Sequence, residues 1–405
     1  MNRKSFIRSL VGGAGAVALP LGGKIQAATT HLPNPVALPR VKITAVRPYV
    51  FRKATFVRID TDAGVSGWGE ADHDLPKLTA AVVEELCAPN CIGKNPFESN
   101  AIWHKTWFKG EDAGSTGLLP GALAGVDNAL WDLKGRLLGL PVHQLLGGNG
   151  LDRVRCYGSF GRSGGKNGLK TPTEMAATAA AFVAEGYKTV KARMQIRQIN
   201  VDPDPDETFA IVREVRRAIG DDIELFVDFN NGYTPAKAID MALRLYEAFG
   251  IAAVEEPVSQ FNYPGLAQVV AAVPVSVMAG EHEFNKWQVR DLIVTGQVDT
   301  INADVIKCAG ISECLKVAHL AYAFDRPIMA HNARPTLACA ASLQLLAAIP
   351  NAARVQEYGG SRPELGLNEL FQNPIVAKDG YLEIPKTPGL GLEPDLERME
   401  RMREN

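Results

Sequence analysis

No excess of either charge marks the chain: 43 Lys and Arg stand against 45 Asp and Glu over 405 residues, a formal net charge of −2. That balance offers no basic face for nucleic acid and no reason to expect an acidic-surface partner. The six cysteines (Cys87, Cys91, Cys156, Cys308, Cys314 and Cys339) include no CxxC pair and have no histidines at zinc spacing. A redox dithiol and a thiolate zinc site are therefore not indicated, and free, partly buried thiols are expected. Beyond residue 40 no segment is apolar and long enough to span a bilayer. What is present is ordinary for a large globular chain, 46% hydrophobic and 22% charged, with enough length to bury an extensive core.

Residues 1–40 differ from the rest. Arg3, Lys4 and Arg8 precede a Gly/Ala-rich apolar run from Leu10 to Leu21, and small residues follow at Ala27 and Ala28. That order is expected of an export signal and its linker, with a periplasmic or otherwise exported mature protein; a disordered tail on a cytoplasmic protein is the alternative. RKSFIR resembles a twin-arginine signal with Lys4 in the second arginine position.

From residue 41 to 150 the pattern is that of a small α+β domain. Two β-rich runs, VKITAVRPYVF and ATFVRIDTDAG, precede a helical segment in which Leu123, Val126, Leu130, Leu133 and Leu137 share one face, closed by Gly139 and Pro141. From 151 to 360 short β-type runs alternate with amphipathic helices. The expected strands are 154–160, 189–194, 223–229, 251–256, 275–280, 299–304, 326–331 and 354–358. Alternation of this kind implies a parallel sheet, and eight units at this length imply a closed barrel. A doubly wound open sheet would be the other arrangement, but no GxGxxG follows the first strand. Residues 361–405 are turn-rich and are expected to pack back on the first domain.

The ionisable residues fall at the ends of these runs. Asp228 ends the third, Glu255 the fourth; Glu281 follows the fifth; Asp304 ends the sixth, His331 the seventh and Glu357 falls in the eighth. A barrel gathers all C-terminal strand ends on one rim, where active sites lie. One acid after a strand is most simply a helix N-cap; six groups in register point to a shared cavity. Several buried carboxylates are costly without a cation. Asp228, Glu255 and Glu281 form an all-oxygen set suited to Mg²⁺, or Mn²⁺, rather than zinc. Lys191 and Arg193, two apart on the second strand, share a face. Lys191 can hold an anionic substrate; Arg193 cannot serve as a base because it keeps its proton, and a salt bridge is its simpler role. Asp304 beside His331 makes a candidate general base whose tautomer is set by a carboxylate.

On these residues the chain resembles the mandelate racemase branch of the enolase superfamily, from about residue 41 to the end. ALAGVDNALWDLKGRLLGLPVHQLLGG looks like the family's helical segment; VDFN, VEEP and AGEH look like its three metal motifs, ADVIKCAGISE and MAHN its Asp–His pair, and VQEYGG its substrate-facing Glu357. The resemblance implies a (β/α)7β TIM-like barrel with an α+β capping domain, and Mg²⁺-dependent removal of the proton α to a carboxylate through an enediolate. It also implies substrate-binding roles for Asn230 and His282. The racemase pattern has Lys-x-Lys on the second strand, and here the second position is Arg193, so one base remains. Dehydration needs only one, and GEHEFNKW looks like the corresponding stretch of the rhamnonate dehydratases. A sugar-acid dehydratase forming a 2-keto-3-deoxy acid is expected. A cycloisomerase, epimerase or racemase on the same scaffold, or a sugar-acid-binding pseudoenzyme, are the alternatives. The partner is a small carboxylate substrate, and a homo-oligomer is expected. Selectivity is expected in loops 51–56, 68–76 and 160–170. His73, Asp74, His104 and Lys109 are candidate contacts, with surface or core roles as the simpler reading.

Overall fold

Three short strands, the second and third buried along most of their length, build the N-terminal layer. The computed structural model describes residues 39–165, 168–331, 334–360 and 366–404; the proposed export segment at 1–38 and the tip of loop 160–170 lie outside the described residues. Strands β1 (Ile43–Phe51), β2 (Ala54–Thr61) and β3 (Ser66–Ala71) form an antiparallel sheet in that order. Ile43, Val57, Ile59 and Ala71 face Ala122, Val126, Ala129 and Leu133 of the helix Leu118–Leu138. The contact is close enough to require glycine in β3: a Cβ on Gly67 or Gly69 would stand 2.4 and 2.3 Å from helix carbonyl oxygens. The helix ends at Gly139 in the left-handed region, as its sequence position suggests.

The second layer is a parallel sheet curled on itself. It comprises β4 (Arg153–Gly161), β7 (Thr189–Arg193), β8 (Glu224–Asp228), β9 (Ala253–Glu255), β10 (Ser276–Ala279), β11 (Thr300–Ile301) and β12 (Gln356–Tyr358). A small hairpin, β5 (Ser163–Gly165) and β6 (Gly168–Leu169), stands after β4. The order is β11-β10-β9-β8-β7-β4-β12. The expected strand at 326–331 is not a regular strand. It is reduced to single bridges from Ile328 to Ile301 and to Ala352, and these close the ring between β11 and the last strand. Pro327 has no N–H to give the ladder. The segment is nevertheless held: Met329 N–H donates to the Ile301 carbonyl at 2.9 Å and His331 N–H to that of Ala303 at 3.0 Å. Helices Pro172–Ala184, Thr208–Ile219, Pro235–Phe249, Tyr263–Ala272, Lys286–Asp291, Ile311–Tyr322 and Leu337–Leu346 follow the first seven positions in turn, and the described chain beyond the eighth runs through a C-terminal strand to the helix Leu396–Met402, giving a (β/α)7β barrel.

The N-terminal layer is fastened to the barrel by capping its helices. Asp127 accepts from Ser312 N at 2.8 Å and Ser312 Oγ at 2.6 Å, and Asn128 Oδ1 accepts from Ile311 N at 3.0 Å, at the start of Ile311–Tyr322. Glu70 Oε2 accepts from Ala338 N at 2.8 Å at the start of Leu337–Leu346. Buried acceptors at a helix N-terminus satisfy its free N–H groups and complement its dipole. The α+β layer is thereby seated over the C-terminal ends of the sixth and seventh barrel units. The C-terminal tail returns to it: Phe371 packs on Phe56 with ring centroids 5.8 Å apart, and Glu404 N–H donates to the Val50 carbonyl at 2.7 Å. On the way, β13 (Tyr381–Glu383) pairs antiparallel with the start of β4. All six cysteines are buried, and among the described residues no helix is long and apolar enough to cross a membrane.

Candidate active site

Two inward layers of the barrel differ by one step of the strand alternation. The lower is apolar, a cluster of Tyr157, Phe226, Ala253, Met278, Met329 and Val355. Two residues further along the same runs stand Ser159, Asp228, Glu255, His331 and Glu357, with Lys191 and Arg193 on β7. Because i and i+2 share a face, the strand that seats an apolar side chain in the plug must aim its next inward residue at the mouth.

Lys191 is fully buried at the centre of this upper layer. Its Nζ lies 2.7 Å from Glu255 Oε2, 3.1 Å from Glu357 Oε1 and 4.0 Å from Asp228 Oδ2. Burial opposes its charge, but Glu255 and Glu357 outweigh it and hold the ammonium well above the ordinary lysine range. Burial would likewise raise Glu357, yet Lys191 and then His331 keep it at about 2. Burial with too little compensation pushes Asp228 up to about 7 and Glu255 well above the carboxylate range. Asn230, at φ +51°, wraps Asp228: its N–H donates to Oδ1 at 2.7 Å and its Nδ2 to Oδ2 at 2.9 Å. The structure thus makes Asn230 an orienter of Asp228. Arg193 is half-buried beside Asp228 and Gly161 in register.

Across the cavity, His331 Nδ1 is paired with Asp304 Oδ2 at 2.7 Å, while Asp304 Oδ1 accepts from Ile306 N at 2.8 Å. That carboxylate fixes the ring so that Nε2 faces the cavity. Nε2 lies 3.0 Å from Glu281 Oε2 and 3.8 Å from Glu357 Oε2. Burial would lower the imidazole's pKa, but Glu281, Glu357 and the bond to Asp304 hold it at about 9.

Glu281 therefore leans toward His331 rather than standing with Asp228 and Glu255. Among the described residues, the ligand-type groups whose atoms all lie within 4.8 Å of one another are Glu256–Glu281–His282 and Asp72–His73–Asp74. His282 Nδ1 is 2.5 Å from Glu256 Oε1, a partner that the sequence reading did not single out. Burial would lower His282, and Glu256 outweighs it. Among the described residues Glu256 Oε2 and Glu255 Oε1 are buried without a hydrogen-bond partner. Orphaned carboxylate oxygens beside Asp228 and Glu281 are a donor set that a hard divalent cation satisfies.

Of the capping candidates, His73 and Asp74 lie near this mouth, His73 Nε2 being 3.4 Å from Asp74 Oδ1. Burial, then the charge of Arg334, pushes His73 down to about 3. Arg334 links the loop after His331 to the Lys53 carbonyl in the β1–β2 turn. His104 and Lys109 are exposed on the helix Ser99–Gly110, where His104 packs on Phe108. Sequence reasoning missed Lys307, whose Nζ is 3.8 Å from Glu281 Oε1; its signal was its place three residues after Asp304. The other missed residue, Glu256, was visible as the second acid of VEEP.

Comparison with known proteins agrees with this architecture. The family model described as Enolase C-terminal domain-like matches residues 174–399, and that of the Mandelate racemase / muconate lactonizing enzyme N-terminal domain matches residues 25–147. A D-galactonate dehydratase of Ralstonia nicotianae is 31% identical over 363 residues, covering 88% of this chain and 92% of the relative. A D-galactarolactone cycloisomerase of Agrobacterium fabrum is 32% identical, covering 87% and 96%. Among solved structures, a mandelate racemase/muconate lactonizing protein from Paracoccus denitrificans complexed with magnesium superposes with a TM-score of 0.84 at 29% identity, covering 90% of this chain and 98% of that one. The 3,6-anhydro-D-galactonate cycloisomerase of Zobellia galactanivorans superposes with a TM-score of 0.80 at 27% identity, covering 90% and 100%. The chain belongs to the mandelate racemase/muconate lactonizing enzyme family of the enolase superfamily.

Proposed function

We propose that this protein is a Mg²⁺-dependent dehydratase that removes the proton α to the carboxylate of a sugar acid and releases a 2-keto-3-deoxy acid. The observation that carries the reading is the asymmetry of the cavity. One wall presents the Asp304-oriented His331, paired at 2.7 Å; on β7 the group that could act as a second base is Arg193, a guanidinium that does not release its proton. Asp228, Glu255 and Glu281 would hold the cation, with Asn230 orienting the first of them. When bound, the ion supplies Lewis-acid polarisation of the substrate carboxylate. His331 Nε2 takes the α-proton as general base and, as imidazolium, is placed to protonate the departing β-hydroxyl. Lys191 and Glu357 line the position where enolic charge develops, the ammonium by direct attraction in a dry site. His282, oriented by Glu256, is a substrate contact in this reading.

Proton NMR in D₂O with a turned-over sugar acid tests the reaction. A keto-deoxy product carrying deuterium at C3 supports it; a C2-deuterated epimer without keto product overturns it. The cycloisomerase-named relatives favour one second reading, in which the same proton abstraction opens or forms a ring and no water is lost. The metal assignment has its own test: Glu255→Gln is expected to abolish activity and weaken Mg²⁺ binding in calorimetry while the circular dichroism spectrum is kept. Full activity in excess chelator would refute it. We also propose that residues 1–40 direct export, on the basic–apolar–small order of that segment. A mature N-terminus near Ala28 is expected, and an intact Met1 in the cytoplasmic fraction would overturn it.

A further inference from the structure

Lys307 presents an unsolved bond inventory. It is 7% exposed, yet among the described residues its ammonium, with three N–H donors, has no hydrogen-bond acceptor. Its nearest carboxylate oxygen, Glu281 Oε1, is 3.8 Å away, beyond hydrogen-bond reach. An ammonium held at this depth with no acceptor in reach leaves its donors to water or to a ligand. The backbone that carries it is fixed: Lys307 N and Cys308 N both donate to the Asp304 carbonyl, at 3.2 and 2.8 Å, and Ile306 N holds Asp304 Oδ1.

Its place in the cavity is defined by Glu281. That carboxylate turns Oε2 to His331 Nε2 at 3.0 Å and Oε1 to Lys307. The base and the ammonium therefore flank the same group. The further charges that bear on Lys307 are Asp304 below and Asp72 and Asp74 of the capping layer. Because Glu281 touches both His331 and Lys307, a substrate placed with its α-carbon at His331 would have its further carbons within reach of Lys307. A neutral oxygen suits this position better than a second carboxylate, which would sit among Glu281, Asp304 and Asp72, where like charges repel.

We propose that Lys307 is a substrate-binding residue that donates to an uncharged hydroxyl beyond the β-carbon, so that the site selects polyhydroxy monoacids over short acids and over diacids. The inference rests on the sugar-acid reading above and deepens it.

The test uses D-galactonate, D-glycerate and galactarate as probes, bound to the Mg²⁺-loaded full chain in a His331→Asn background that blocks turnover. Calorimetry is expected to show galactonate bound more tightly than galactarate. Adding Lys307→Met should weaken galactonate about 10- to 100-fold, the loss typical of a hydrogen bond from a charged donor, and glycerate less than about threefold. Mg²⁺ affinity, measured on the same proteins without acid, should be unchanged. Equal losses for galactonate and glycerate, or a parallel loss of Mg²⁺ affinity, would show that Lys307 serves only Glu281 and would overturn the proposal, as would no loss at all. If Lys307→Met does not fold, Lys307→Gln must show the same discrimination between the two acids. Failure of the parent protein to bind any of the three acids is a separate outcome: it overturns the sugar-acid reading, and this inference with it.

Discussion

The two inward layers of the barrel lie one alternation step apart on the same strands and obey opposite rules. In the lower layer Phe226, Met278 and Met329 fill space, and these apolar side chains need no partner beyond shape. In the upper layer Asp228, Glu255 and Glu357 are just as buried, but their energy depends on charges that must match. The plug makes the upper layer possible: by excluding water from below, it lowers the dielectric in which Lys191 and the carboxylates act. Stability resides in one layer and chemistry in the other, a division open to direct attack.

The largest effect expected is in the upper layer. His331→Asn should reduce turnover by on the order of 10²–10⁴-fold with the melting temperature little moved, read by NMR assay and calorimetry side by side. A large loss of stability would show that the two layers are not separable. Next, Phe226→Ala in the plug should cost about 3–5 kcal/mol of folding free energy, measured by urea unfolding, while activity per folded molecule is largely retained at low temperature. Loss of activity without loss of stability would reverse the comparison.

Asn230→Ala sharpens it. Asn230 makes two side-chain contacts: Nδ2 holds Asp228, and Oδ1 accepts from Gln195 N at 2.7 Å. Metal affinity should fall about 10–100-fold, the usual result of losing a group that orients a ligand, by Mn²⁺ titration followed by EPR; unchanged affinity would sink the orienting role. The smallest effect is expected where the capping layer meets the barrel. Trp103 Nε1 donates to the Ala309 carbonyl at 2.9 Å, from a ring stacked on Trp107. Trp103→Phe keeps most of the stack and loses one hydrogen bond, so about 0.5–1.5 kcal/mol of stability should go with turnover nearly intact. A collapse in turnover would instead place this contact in control of the cavity.

Much of the site could be read because barrel geometry is regular. Once the βα repeat was recognised, Asp228, Glu255, Asp304, His331 and Glu357 had to converge, since every strand ends on the same rim. The i, i+2 rule sent Lys191 inward. What could not be read depended on loop conformation. Glu256 reaches His282 because its own backbone takes φ +43°, a choice no periodicity announces. Glu281 was expected beside Asp228 and Glu255, and the folded chain turns it toward His331 and Lys307. Asn230 was expected at substrate; it folds back on Asp228. The seventh strand failed as a regular ladder at Pro327 although its sequence reads as a strand, and the ring closes through single bridges at Ile328.

By itself the sequence determined the layers, the number of βα units and the identity of most ionisable groups at the rim, because these follow from local periodicity and the fixed alternation of a strand. Tertiary structure alone decided which of those groups pair. Asp127 and Glu70 cap barrel helices through Ser312 and Ala338, 185 and 268 residues away, and among the described residues the Lys307 ammonium has no hydrogen-bond acceptor, its nearest carboxylate oxygen being 3.8 Å away. Such pairings arise from the meeting of surfaces remote in the chain, where the energy of a buried charge is set by all its neighbours at once and not by its place in the sequence.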